Sequence, residues 1–159
     1  MMSRCLSATG ALLESVLRFL CGTLGIGIVL LMFAQVLFRY FGNEPLSWSE
    51  EVIRDAFIWC SFFGAALAQR YRLHVALELV DSYPARVRDA LHIAVPLALC
   101  AFLAVIGYSG VKLTIASWQV NSVALEIPMS LTYAAVPCGA FIMIIFAIDA
   151  LVNRKVTSP

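Results

Sequence analysis

The sequence predicts an all-α integral membrane fold: four transmembrane helices with short connections, plus a short interfacial amphipathic helix between the second and third. Two observations carry this. Hydrophobic residues make up 62% of the 159 positions and charged residues 13%, against about 25% charged in an ordinary soluble domain. The charges are also clustered, leaving charge-free runs at residues 19–38, 56–69, 90–111 and 127–148. Roughly 20 apolar residues at about 1.5 Å each cross a hydrocarbon layer of about 30 Å. Three of the runs reach that length unaided, and the second reaches it only if its helix starts in the polar stretch near Ser49.

The spans are expected at about 13–40, 48–70, 90–111 and 127–150, with the interfacial helix at about 73–83. Together they form one membrane domain over residues 1–159, with no room for a separate catalytic module. The first apolar run is too long for a usual signal-peptide core and lacks an A-x-A-like cleavage site, so it reads as a retained helix. Its Gly22, Gly25 and Gly27 permit close helix approach in lipid. Asn43-Glu44-Pro45 ends it, because proline disfavours helical geometry in the residue before it.

Ser47-Trp48-Ser49-Glu50 has the form of a capping box, which starts the second span near Trp48. Its first turns hold Glu50, Glu51, Arg54 and Asp55. Arg54 lies four residues from Glu50 and three from Glu51, so both carboxylates can straddle it on one helical face. With Trp48 and Trp59 in the aromatic belt this cluster serves as an interfacial anchor or as a docking patch for another subunit. Further along, Cys60, Gly64 and Ala68 repeat a small residue at every fourth position, a face that admits a neighbouring helix. Trp48, Glu50, Glu51, Arg54, Trp59, Cys60, Gly64 and Ala68 are accordingly the residues expected at a subunit interface.

Between Arg70 and Asp89, Leu73, Leu77 and Val80 share one helical face, while Glu78, Asp81 and the arginines fall largely elsewhere. That pattern suits a helix lying in the interface, with His74 as an interfacial residue and Pro84 beginning the turn into the third span. The fourth span opens on Ile127-Pro128, and Pro137-Cys138-Gly139 is expected to kink it.

Basic residues flank the spans unevenly. Arg4, Arg18, Arg70, Arg72, Arg86, Arg88, Arg154 and Lys155 fall on one side, and Arg39, Arg54 and Lys112 on the other. Both termini are therefore expected in the cytoplasm. A net charge of +1 offers no basic face for nucleic acid. The five cysteines stand singly, without the pairing of a zinc site or a disulfide framework; no metal, cofactor or catalytic residue is expected.

Trp48-Ser49-Glu50-Glu51-Val52-Ile53-Arg54, then Trp59, Gly64-Ala65-Ala66 and His74, together resemble the small membrane subunit (DctQ-like) of tripartite ATP-independent periplasmic (TRAP) transporters. Leu125-Glu126-Ile127-Pro128-Met129, Tyr133 and Pro137-Cys138-Gly139 are similar to that family's fourth-helix signature, although a small residue would be more usual at Glu126 and a bulky aromatic at Ser130. The resemblance implies a bacterial inner-membrane scaffold, surrounded by lipid. It would brace a large membrane subunit that imports organic acids, often carboxylates, with sodium, and it would support docking of a periplasmic solute-binding protein. No carboxylate or cation sits at mid-membrane depth in this chain, which agrees with a non-catalytic part. An alternative is a haem-carrying anchor of a respiratory complex using His74 and His92. Those two histidines, however, flank the same basic connection at one membrane surface, which suits interfacial residues better than axial ligands.

Overall fold

The computed structural model describes the backbone of residues 2–42, 47–80 and 84–154. Its elements are α1 (Met2–Leu37), a single π-helical turn (Phe38–Gly42), α2 (Ser47–Val80), α3 (Ala85–Ala116), α4 (Ser130–Tyr133) and α5 (Ala135–Arg154). Among the described residues, three stretches are long and apolar enough to cross a membrane: Gly10–Phe41, Ala94–Ala116 and Ser130–Asp149. α2 falls outside that set because charges crowd both of its ends and leave only its middle free of them.

Several boundaries differ from the sequence expectation. α1 starts about three turns earlier than residue 13, since no proline precedes its apolar run. Of the interfacial helix expected at 73–83, residues 73–80 continue α2 as far as Val80, and residues 81–83 lie outside the described residues. No proline lies between Ser47 and Val80 and Gly64 is the sole glycine there, so nothing breaks the backbone ladder where the pattern turns amphipathic. α3 begins at Ala85 behind Pro84, as the sequence indicates, and runs without a break through Pro96.

In the fourth span, Pro128 pairs with Asn121 in an isolated antiparallel bridge, and the helix begins two residues later. The interruption expected at 137–139 falls at Ala134, between α4 and α5. The displacement follows from proline chemistry: Pro137 has no N–H for the carbonyl four residues earlier, and its ring crowds that carbonyl. The ladder resumes with the Cys138 N–H bonded to the Ala134 carbonyl at 3.2 Å.

The helices are not arranged as a closed square. α1 packs on α2, α5 packs on both α2 and α3, and no direct α1–α3 packing occurs among the described residues. The core cluster is Leu17, Ala66 and Phe146, with Leu13, Phe63, Leu67, Ile142 and Met143 against it. Large apolar side chains such as Phe19, Ile26, Phe33, Phe102 and Val105 point outward, while the buried set is rich in alanine and serine. That inversion suits a lipid solvent. Hydrocarbon is as apolar as leucine, so helix association rests on close backbone approach and polar contacts rather than on hiding large side chains.

Two glycines mark close approaches of α5 to its neighbours. A Cβ on Gly110 would lie 2.9 Å from Pro137 Cδ and Val136 Cγ1, and one on Gly139 would lie 2.9 Å from Phe62 Cβ. The α3–α5 and α2–α5 crossings therefore depend on absent side chains. Around Gly22, Gly25, Gly27 and Gly64 there is nothing within 4 Å, so these four glycines play no such part inside the chain.

Candidate functional site

Two polar clusters mark the two ends of the α1–α2 pair. At one end, Gln35 Nε2 of α1 donates to Glu50 Oε1 of α2 at 3.0 Å. At the other, Arg70 of α2 places Nε 2.7 Å from Glu14 Oε2 of α1 and Nη1 3.5 Å from Asp149 Oδ2 of α5. Its guanidinium also lies 5.0 Å from the centroid of the Phe146 ring, within cation–π range. The Tyr71 hydroxyl donates to Glu14 Oε1 at 2.7 Å and accepts from Arg18, which also pairs with Glu14. Gly10 makes room for this clasp, because a Cβ there would meet Arg70 Nη1 at 2.7 Å. Glu14 to Gln35, and Glu50 to Arg70, each span roughly 30 Å of helix at about 1.5 Å per residue, the thickness of the hydrocarbon layer.

The acidic start of α2 is wired differently from the sequence expectation. Arg54 is not straddled by Glu50 and Glu51. It reaches Glu51 Oε1 at 3.1 Å and Asp55 Oδ1 at 3.8 Å, while Glu50 turns to Gln35. Glu51 is 7% exposed, and its second oxygen accepts the backbone N–H groups of both Ala124 and Leu125 at 3.0 Å. A carboxylate bonded to two amides holds the connection between α3 and α4 onto the start of α2. Glu51→Ala is expected to speed amide exchange across residues 120–128 while α1 and α5 keep their protection, as read by hydrogen-exchange mass spectrometry. Unchanged exchange there would remove this role.

The other expected interface residues divide into two groups. Cys60 is half-buried against α1, its Sγ 3.9 Å from the Cys21 carbonyl and the Cys21 Sγ 3.9 Å from the Cys60 carbonyl. Trp59 packs on Phe63 with ring centroids 5.3 Å apart. Glu51 and Cys60 are thus engaged within the chain. Trp48, Glu50, Arg54 and Ala68 are exposed, and Gly64 is half-buried with open space above it. On α2, Ser61, Gly64 and Ala68 recur at helical spacing and form a small-residue stripe on the outer surface, with the exposed Phe57 one turn before it. His74 lies in α2 and His92 in α3, with side chains outside the described residues.

Sequence reasoning passed over Gln35, Asp149 and Tyr71, and treated Glu14 and Arg70 as separate flanking charges. One signal was available: Glu14, Arg70 and Asp149 each stand within a turn of the end of an apolar run, at the same membrane surface. Their mutual pairing needs the α1–α2–α5 packing and has no local signature.

Residues 28–156 match the family described as tripartite ATP-independent periplasmic transporters, DctQ component. The chain is 30% identical over 137 residues to the sialic acid TRAP transporter permease protein SiaT of Haemophilus influenzae, covering 84% of this chain and 22% of that protein. It is 29% identical over 114 residues to the C4-dicarboxylate TRAP transporter small permease protein DctQ of Vibrio cholerae, covering 71% of this chain and 46% of that protein. Against the isethionate TRAP transporter permease protein DctMQ of Oleidesulfovibrio alaskensis it is 23% identical over 139 residues, covering 81% of this chain and 22% of that protein. The chain therefore spans half or less of the length of these relatives.

Proposed function

Because the chain belongs to the DctQ component family of tripartite ATP-independent periplasmic transporters, we propose that it is the non-catalytic scaffold subunit of a sodium-coupled importer of organic acids. It packs against a large membrane subunit that carries the substrate path, and it supports docking of a periplasmic solute-binding protein. The observation that carries this reading is the open small-residue surface: Gly22, Gly25 and Gly27 on α1 and Gly64 on α2 have no neighbour within 4 Å, although such residues normally serve close helix contacts in lipid. The proportions of the relatives support it. In the sialic acid and isethionate permeases the matched region is 22% of the protein, which leaves most of the same polypeptide outside it. The solutes in the names of the relatives are organic acids, and an organic acid is the substrate class proposed here.

In this reading α2 also crosses the membrane, making one four-helix membrane domain of residues 1–159. The distance between its two polar clasps equals the hydrocarbon thickness, and the charges excluded from its middle sit at the two interfaces. The uneven distribution of basic residues supports an orientation with the Arg18–Arg70 end and both termini in the cytoplasm, and the Glu50–Arg54 end toward the periplasm. The protein resides in the bacterial inner membrane. Residues 73–80 extend α2 beyond the cytoplasmic end of the span, and His74 belongs to that extension.

Co-purification tests the reading. Gly25→Leu and Ala68→Leu are expected to leave the melting of the isolated chain unchanged and to reduce the amount of large subunit recovered with it in mild detergent. Equal recovery with all variants would remove both faces from the interface. Arg54→Ala, at the exposed periplasmic patch with Trp48 and Glu50, is expected to lower solute uptake; unchanged assembly and uptake would end the docking role of that patch.

A further inference from the structure

The connection between α3 and α4 is built as a small hairpin rather than an open loop. The Ser122 N–H bonds to the Ile127 carbonyl at 2.9 Å and the Met129 N–H to the Val120 carbonyl at 2.8 Å, around the Asn121–Pro128 bridge. Glu126 takes a left-handed conformation at φ 55° to close its turn, the position where a small residue would be more usual. The Ala124 and Leu125 N–H groups are occupied by Glu51. The apolar side chains Trp118, 68% exposed, Val120, 50%, and Val123, 95%, face outward beside the exposed polar Gln119, Asn121 and Glu126.

Its depth follows from its neighbours. The apolar stretch Ala94–Ala116 ends two residues before Trp118, and the stretch Ser130–Asp149 begins directly after Met129. Both arms of the hairpin therefore leave from the edge of the hydrocarbon. Glu51 then ties the turn to the first helical turns of α2 instead of letting it project into water. A segment at this depth must satisfy backbone donors within the protein, which the hairpin does for Val120, Ser122, Ala124, Leu125 and Met129. Tryptophan is the residue that settles at this boundary.

We propose that the 117–129 hairpin is an interfacial anchor that seats Trp118, Val120 and Val123 among the phospholipids of the leaflet at the Glu51 end, with Glu51 holding it at that depth. Its ligand is the boundary between lipid headgroups and acyl chains. The hairpin has one ionisable side chain, Glu126, so apolar burial and not attraction to anionic headgroups provides the binding. α3, from which it emerges, lies at the edge of the helix array and packs mainly on α5 and α4, which leaves the lipid free to reach it. The inference depends on α3 and α5 crossing the membrane and not on how the chain meets a larger subunit.

The test uses the full chain in phosphatidylcholine vesicles. With Trp48→Phe and Trp59→Phe, Trp118 is the remaining tryptophan. Lipid brominated near the headgroup end of the chains is expected to quench it more than lipid brominated near the chain ends, and equally when anionic lipid is added. In a separate variant, a spin label on Val123→Cys is expected to relax faster with oxygen than with a water-soluble nickel chelate, and to reverse that order when Glu51→Ala is added. Absence of quenching, or a label that favours the nickel chelate in the otherwise native chain, would overturn the proposal. So would a label shielded only when a larger subunit is co-reconstituted, since the hairpin would then be a protein contact.

Discussion

Arg70→Ala is expected to destabilise the folded chain by on the order of 3 kcal/mol, the usual scale for removing one partner of a poorly hydrated ion pair. Arg70 stands between two carboxylates on different helices, Glu14 of α1 and Asp149 of α5, at 2.7 Å and 3.5 Å. The three side chains are each less than a fifth exposed, so without the guanidinium two like charges face each other in a site with little water. The stacking of Arg70 on Phe146, a core residue, goes with it. Arg70→Lys keeps the charge and loses the fork that reaches both carboxylates, and it is expected to recover part of the loss. Adding Glu14→Gln and Asp149→Asn to Arg70→Ala is expected to recover more, by removing the repulsion between the two carboxylates. Denaturation in detergent, followed by circular dichroism, measures all three. A change below about 0.5 kcal/mol, the range of ordinary surface substitutions, would mean that the clasp is solvated and contributes nothing to the fold.

The second large effect is steric. Gly110→Val places atoms where Pro137 and Val136 already stand, and one of the close contacts is the Pro137 backbone nitrogen at 3.2 Å, which cannot rotate away. α3 must move off α5, at a cost of about 1 to 3 kcal/mol for overpacking. Gly139→Ala does the same at the α2–α5 crossing, against Phe62 Cβ. Gly22→Ala and Gly25→Ala supply the contrast. They meet nothing within 4 Å, and alanine is about 1 kcal/mol better than glycine in a helix measured in water, so the isolated chain is expected to be no less stable. If all four variants melted alike, close packing at Gly110 and Gly139 would not be holding the helices together.

These two cases show how unevenly the molecule can be read from its sequence. Glycines are visible in a sequence, but their use is not. Gly22, Gly25 and Gly27 form the conspicuous group, yet the contacts within the chain belong to Gly10, Gly110 and Gly139, each opposite a residue far away in the chain. The charge cluster at the start of α2 is equally plain. Spacing along one helix pairs Arg54 with both neighbouring glutamates, and does so correctly only for Glu51. Glu50 is drawn off by Gln35 from another helix, and the second oxygen of Glu51 is taken by amides more than 70 residues away. The interruption expected near Pro137 was legible in kind and misplaced by one turn, because the carbonyl that this proline leaves without a donor lies upstream.

The sequence by itself determined that this is a helical membrane protein, three of the stretches apolar enough to span, and which family it resembles. Those properties are set by composition and by order along the chain, and the solvent acts on them residue by residue. The tertiary structure decided that α2 continues to Val80, that α5 lies between α2 and α3, and that Arg70 clasps Glu14 and Asp149. It also decided which small residues are used inside the chain and which are left facing outward. In lipid, large apolar side chains have no need to hide, so their pattern does not say which faces meet. Close approach and the pairing of a few polar groups settle that, and both depend on residues brought together from distant parts of the chain.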